Sequence, residues 1–175
     1  MKRAVKTALS ASGVQRMIDA VEAYRTWLED RANALLRELS SMGYDIASAK
    51  FESAVYDGTN DTKVKIEERD GRTAAVVAVG ASVLFIEFGT GVTYPDNHPE
   101  AAQNGMVRGA YGKGHGKQRT WGYYGDPGTN GVEQTNPKTG NTVVLTHGNP
   151  ANTCMYDTAK ELSERLPALV KEVFR

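Results

Sequence analysis

The stretch FIEFGTG, residues 85–91, places one carboxylate among large apolar side chains and then ends in glycine, threonine and glycine. Side chains alternate between two faces over Val83–Phe88, which predicts a buried strand that stops abruptly. A buried carboxylate is costly when unpaired, so we expect Glu87 to accept hydrogen bonds from backbone amides or a basic side chain, or to face a subunit boundary. Gly89 and Gly91 are expected to adopt backbone angles that a residue with a Cβ resists.

Three further strands are predicted before this one, separated from one another by Asp-Gly pairs that tolerate the positive φ of tight turns. The strands are Lys50–Tyr56, Lys63–Glu67 and Thr73–Val79, and the turns are Asp57-Gly58 and Asp70-Gly71. Lys63–Glu67 alternates cleanly between polar and apolar residues, as a strand with one solvated face does. Together with Val83–Phe88, these segments predict a four-stranded antiparallel β-meander.

Helical spacing of apolar residues marks both ends of the chain. The first helix is predicted over Val14–Met42, with Ser12 as its N-cap and Gly43 as its stop. The last helix is predicted from Met155 to Val173, and its proline either kinks it or begins a second helix. We therefore predict an α+β fold in which the two helices cover one face of the sheet.

The composition fits one domain of 175 residues, with a core at about 14–92 and 147–175 and a glycine-rich insertion at about 93–146. Within the insertion, only Thr142–Thr146 resembles a strand. Lysine plus arginine and aspartate plus glutamate number 21 each, so no global field draws the chain to nucleic acid or an anionic membrane. One cysteine suits a reducing compartment, the N-terminus is interpreted as mature sequence, and the longest apolar run is too short to span a bilayer.

The insertion contains a basic and aromatic cluster. Its members are Arg108, Tyr111, Lys113, Lys117, Arg119, Trp121, Tyr123 and Tyr124. The surrounding glycines match neither a phosphate-binding loop nor a dinucleotide fingerprint. Such a cluster could bind phosphates and stack on bases, but the same residue types are enriched at protein interfaces, which is the interpretation we prefer. The insertion is accordingly predicted to be an intersubunit arm, mobile in the isolated subunit and ordered against a neighbour through Trp121.

Three histidines, His98, His115 and His147, lack the close spacing of zinc ligands, so we expect no metal. Asp96, His98 and Glu100 could serve acid-base catalysis in a small hydrolase, although such a run is more often a solvated turn. Cys154 lies at the start of the last helix, where a thiolate would be favoured, but a small buried side chain is the likelier role for it.

The order of these parts resembles that of the tail-completion, or head-tail joining, proteins of long-tailed siphovirus-type bacteriophages. The resemblance covers about Val14–Val92 and His147–Arg175. Its motif residues here are Glu87, Phe88, Gly89 and Thr90, followed before the last helix by Pro150, Ala151 and Met155. The chain departs from many members by its insertion at 93–146 and by the lack of a Pro-rich segment before the first strands.

The resemblance implies a structural, non-catalytic virion protein without a cofactor. It implies a homo-oligomeric ring, roughly sixfold, in the phage neck between the capsid connector and the tail terminator or tail tube. DNA would pass through the bore without sequence-specific binding. One alternative function is a nucleic-acid-binding module that uses residues 108–124, and steeply salt-dependent binding would distinguish it. A small hydrolase is a third and weaker hypothesis.

Overall fold

The computed structural model describes residues 6–91, 97–107, 109–110, 118–129 and 131–175. The described chain contains a long N-terminal helix, antiparallel strands in two small sheets, and a C-terminal helix, so the predicted α+β class is confirmed. The predicted four-stranded meander is wrong. Its middle two strands form an isolated hairpin, the segment predicted as the first strand ends the first helix and then leaves it, and the segment predicted as the fourth strand is helical.

The first helix, α1, runs over Ala11–Glu52, and its N-cap Ser10 accepts a hydrogen bond from Gly13 N. It therefore begins before the predicted cap and continues nine residues past the predicted stop at Gly43. The strand predicted over Lys50–Tyr56 is not formed, because its first part is the last turn of α1 and residues 54–56 have no regular secondary structure. At about 1.5 Å per residue, the helix is about 63 Å long.

Gly43 lies inside α1, at a position where two other elements approach the helix closely. A Cβ at Gly43 would lie 3.0 Å from Leu162 Cδ1 and 3.0 Å from Val76 Cγ2. The glycine thus allows close packing of the helix against its neighbours. Local sequence alone suggests a helix end at this position, since the reason for the glycine is a tertiary contact.

The last helix, α3, runs over Cys154–Val173 and packs antiparallel to the second half of α1. Its first residue lies in the core cluster with Phe51, near the end of α1, and Phe174 after its last turn contacts Trp27 edge-on at 6.0 Å between ring centroids. Pro167 is accommodated within one helix, so no second helix begins there. The part of α1 that precedes Trp27 therefore lies beyond the end of α3.

Strands β1, Lys63–Arg69, and β2, Thr73–Val79, form the predicted hairpin in the register Ile66 opposite Val76. Its turn has positive φ at Asp70 and Gly71, 51° and 67°, as the Asp-Gly pair indicates. No other described strand pairs with the outer edge of β2.

The segment Val83–Phe88 is a short helix, α2, and not the predicted strand. Gly80, at φ 150°, turns the chain out of β2, and Asp61 then accepts hydrogen bonds from Ala81 N at 2.8 Å and Ser82 N at 2.9 Å. These amides would otherwise be unsatisfied at the start of a helix. A six-residue apolar run fits either periodicity, so the pattern alone could not separate the two outcomes.

The described part of the insertion contains a three-stranded antiparallel sheet. Its strands are β3, Trp121–Tyr123, β4, Val132–Thr135, and β5, Thr142–Thr146, in the order β3-β5-β4. Strand β5 is the predicted one, whereas β3 and β4 were not expected. The expectation of a mobile arm does not fit this part, because Thr129 N also donates to Tyr56 O at 2.8 Å and so joins the insertion to the rest of the chain.

Candidate functional site

Glu87, the carboxylate of the FIEFGTG stretch, is only 5% exposed. Its carboxylate accepts hydrogen bonds from Met155 N at 2.8 Å and Tyr156 N at 3.0 Å. These are the second and third amides of α3, which an N-cap side chain usually satisfies. Glu87 thus caps α3 from another helix, and the negative charge lies at the positive end of the helix dipole. This agrees with the expectation that backbone amides would pair the acid.

His98 completes the pairing of Glu87. Its Nε2 lies 3.0 Å from Glu87 Oε1, and its Nδ1 accepts a hydrogen bond from Glu100 N at 3.1 Å. A neutral ring with the proton on Nε2 satisfies both bonds. The imidazole also packs against Phe88, with ring centroids 4.4 Å apart. The interpretation of residues 96–100 as a solvated turn is therefore wrong for His98, which is buried; Asp96 lies outside the described residues.

The two motif segments that carry the family resemblance are in direct contact. Thr90 N donates to Asn149 O at 2.8 Å, and Asn149 N donates to Thr90 Oγ1 at 2.9 Å. Gly89 of the first segment, with φ 77°, faces the second segment: a Cβ there would lie 2.7 Å from Ala151 N and 2.8 Å from Asn149 O. The glycine is therefore required both by its backbone angle and by the close approach of the second segment.

Two asparagines that sequence reasoning did not single out connect this region to the end of α1. Asn152 accepts from Val55 N at 2.8 Å, and its amide donates to Val55 O at 3.0 Å. Asn149 Oδ1 accepts from Asp57 N at 2.6 Å, and Thr146 donates a short hydrogen bond to Asp57. Residues 85–91 and 146–156 with Val55–Asp57 thus form one unit, which we call the Glu87 clamp. Its polar groups are paired with one another, as a structural joint requires.

Cys154, the candidate nucleophile, lies within the clamp and is 1% exposed. Burial, assisted by the nearby Glu87 carboxylate, raises the pKa of its thiol to about 12. The thiolate is disfavoured, so the preferred interpretation of Cys154 as a small buried side chain is confirmed, and the alternative of a reactive thiol is wrong.

The basic and aromatic cluster is only partly described. Arg108, Tyr111, Lys113 and Lys117 lie outside the described residues, as do His115 and the start of the insertion at 93–96. Arg119 is exposed. Trp121 and Tyr123 are half-buried against the chain itself: Trp121 lies beside Gly91, and Tyr123 donates to Asp126 O at 2.7 Å. Tyr124, at 77% exposed, is the one described aromatic of the cluster that is free to meet a partner.

Two apolar surfaces remain exposed, one on α1 and one that borders the clamp. The first lies on the N-terminal half of α1, where every residue from 14 to 33 is exposed except Ala20 and Trp27. We call its apolar side chains the tip stripe; they are Val14, Met17, Ile18, Val21, Tyr24 and Leu28. These residues recur at the spacing of one helix face. No described part of the chain covers this face.

The second surface is a groove of about 700 Å³ between β2 and α3, which we call the β2–α3 groove. Val76 and Ala78 contribute from the free edge of β2, Leu84 from α2, and Met155 and Ala159 from α3. Leu84 is 46% exposed, so its side chain lies open to the groove. A concave, mainly apolar surface of this kind is typical of a binding site.

In the described residues, no group of three or more histidine, cysteine, aspartate or glutamate side chains could hold a metal ion. None of the described helices is both long and apolar enough to cross a bilayer. No family model matches the chain, and no curated protein or solved structure is significantly similar to it.

Proposed function

We propose that the chain is a structural subunit of a phage virion, a head-tail joining protein that closes into a ring in the neck. The ring, sixfold by the family resemblance, would connect the capsid connector to the tail terminator or tail tube and leave a bore for DNA. The protein would be assembled in the host cytoplasm and act in the virion, without catalysis and without a cofactor.

The observation that carries the proposal is the tip stripe. Monomeric proteins rarely leave a contiguous apolar helix face open to water, and a helix segment of this length is only marginally stable without tertiary contacts. A subunit that completes its packing with another chain accounts for both features. Val21, 64% exposed at the centre of the stripe, is the most exposed of its members.

The Glu87 clamp supports the structural role of the two family motifs. Glu87, Gly89, Thr90 and Pro150 belong to one hydrogen-bonded joint that holds α2 against the start of α3. Groups used in this way stabilise the fold and do not need an exposed reactive atom. This is the role that the resemblance implies for the motif.

The test is genetic. In the phage that encodes this chain, a nonsense mutation in its gene should leave DNA-filled heads and separate tails, visible by negative-stain electron microscopy. The wild-type gene supplied from a plasmid should restore joined, infectious particles. Normal joined particles from the nonsense mutant, in a host that does not suppress it, would show that the proposal is wrong.

The nucleic-acid alternative keeps one described feature, the exposed Arg119 near Tyr124. Binding of single-stranded or duplex DNA by the purified protein, measured from low to moderate salt, decides it. A steep loss of affinity with salt that Arg119→Gln reduces would favour a DNA-binding role.

A further inference from the structure

We propose that the tip stripe of one copy of this chain lies in the β2–α3 groove of the next copy. The inference rests on the proposed ring and specifies the contact that would build it. The two surfaces are convex and concave, both are apolar, and both belong to every copy. Association between copies therefore removes both the tip stripe and the β2–α3 groove from water at once.

The position of the surfaces favours a head-to-tail arrangement. Val76 lines the groove and lies beside Gly43 of α1, whereas Val21 is at the centre of the tip stripe. Val21 and Gly43 are 22 positions apart in the helix, which corresponds to about 33 Å along its axis. Two distinct patches at the two ends of a subunit generate a ring when the rotation between copies closes.

The charges beside the two surfaces are compatible with this contact. On α1, Arg25 lies on the stripe face between Val21 and Leu28, and its Nε is 3.8 Å from Glu29 Oε1. Glu22 borders one side of the stripe, and Arg16 and Arg31 lie towards the other side. The rim of the groove carries one exposed acid, Glu100, and one exposed base, Lys160. Each surface thus offers both signs of charge, so a helix in the groove can meet opposite charges and avoid a repulsive border.

The shape of the groove also suits a helix. One wall is a strand edge and the other is α3, whose exposed Ala159 is small enough to admit a close neighbour. Amphipathic helices commonly bind in such grooves through side chains at helical spacing. The tip offers this spacing in Val14, Ile18, Val21 and Leu28.

Disulfide crosslinking tests the contact. We would prepare Val21→Cys and Ala159→Cys as separate proteins, each in a Cys154→Ala background, and mix them under mild oxidation. The proposal expects a disulfide-linked dimer from the mixture and little from either protein alone. Ala23→Cys, on the opposite face of α1 and also exposed, is the matched control and should not crosslink to Ala159→Cys.

The double variant Val21→Cys, Ala159→Cys then distinguishes a ring from a closed pair. Head-to-tail contacts should give a ladder on a non-reducing gel that ends at the copy number of the ring. A ladder that stops at the dimer would place tips and grooves in a reciprocal pair and overturn the head-to-tail arrangement. Crosslinking of Val21→Cys with itself alone would show that tip stripes pair with each other, which would also overturn the proposal.

Association of uncrosslinked protein gives an independent measurement. Val21→Glu should weaken self-association by about tenfold or more, because a charge would be buried at the centre of the contact. Ala23→Glu should leave it unchanged, and circular dichroism should show that both variants are folded. A wild-type oligomer that Val21→Glu leaves intact would exclude this contact but not the ring. A wild-type protein that is monomeric at the highest concentration reached would contradict both.

Discussion

The two halves of α1 carry the same type of apolar pattern and have different surroundings. From Trp27 to Phe51 the helix packs on α3 and on the β1–β2 hairpin, and several of its residues are buried. Before Trp27 the same spacing continues through Val21 and Val14, yet these side chains are exposed. The apolar pattern therefore runs along the whole helix, but the rest of the described chain covers only its second half.

This difference shows what an amphipathic pattern does and does not specify. Spacing determines which face of a helix is apolar, but it does not say which chain covers that face. The polar groups of the Glu87 clamp are paired within the chain. The apolar side chains of the tip stripe are exposed, and we propose that another copy covers them. Substitutions at the clamp end should therefore lower the stability of the monomer, whereas substitutions in the tip stripe should weaken self-association and leave monomer stability almost unchanged.

The largest effect is expected at the clamp end, for Gly89→Val. The new side chain would meet Ala151 N and Asn149 O, both backbone atoms, at a φ of 77° that β-branched residues avoid. We expect a loss of about 4 kcal/mol or more in the free energy of unfolding, enough to prevent folding of a marginally stable domain.

Gly140→Val is the matched control for that variant. Gly140 has a similar φ, 70°, but nothing lies within 4 Å of its Cβ position. It should therefore show only the backbone cost of about 1–3 kcal/mol. Equal melting temperatures for the two variants, measured by circular dichroism, would contradict the close contact of the two motif segments.

The second prediction compares the two halves of α1 directly. Phe51→Ala should lower the free energy of unfolding of the monomer by about 3–5 kcal/mol, because Phe51 is 2% exposed and belongs to the core cluster. Val21→Ala should change it by less than about 0.5 kcal/mol, since the side chain makes little contact within the chain. Urea denaturation at low protein concentration measures both. A large loss from Val21→Ala would mean that the tip is packed within its own subunit.

The third prediction concerns the charge at the centre of the clamp. Glu87→Gln keeps the shape of the side chain but places an NH2 group opposite a donor, either Met155 N–H or the protonated Nε2 of His98. We expect a loss of about 2–3 kcal/mol, the cost of a charge-assisted hydrogen bond and an unsatisfied buried donor. Glu133→Gln in the exposed strand β4 removes the same charge and should leave the melting temperature almost unchanged. Equal behaviour of the two variants would show that Glu87 is not held by these bonds.

Much of the clamp could be predicted from local sequence. The need for a partner at Glu87 followed from a carboxylate among apolar residues, and the positive φ at Gly89 and Gly91 followed from their place after it. The Asp70-Gly71 hairpin also depends mainly on local conformational preferences. In each case the physical requirement lies within a few residues.

The features that were predicted wrongly or missed are those that depend on contacts between residues far apart in the sequence. Strands β3 and β4 are short and gain stability only by pairing with β5, so their own sequences carry a weak signal. His98 reaches Glu87 through the fold, and no spacing rule links the two. Local sequence predicts a helix end at Gly43, because the close approach of α3 and β2 that requires this glycine is not visible in the sequence.

The smallest effect should come from Asp61, which is exposed and accepts hydrogen bonds at the start of α2. Its hydrogen bonds from the Ser82 hydroxyl, Ala81 N and Ser82 N lower the pKa of the carboxyl from 3.8 to about 2. A depressed folded-state pKa stabilises the protein above the unfolded value, and this stabilisation is lost as pH falls from about 3.8 towards 2. The difference in melting temperature between wild type and Asp61→Asn should therefore shrink over that window. Asp45→Asn, at an exposed position of α1, should show no such trend; a wild-type advantage over Asp61→Asn that is the same at both ends of the window would mean that the charge of Asp61 does not stabilise the start of α2.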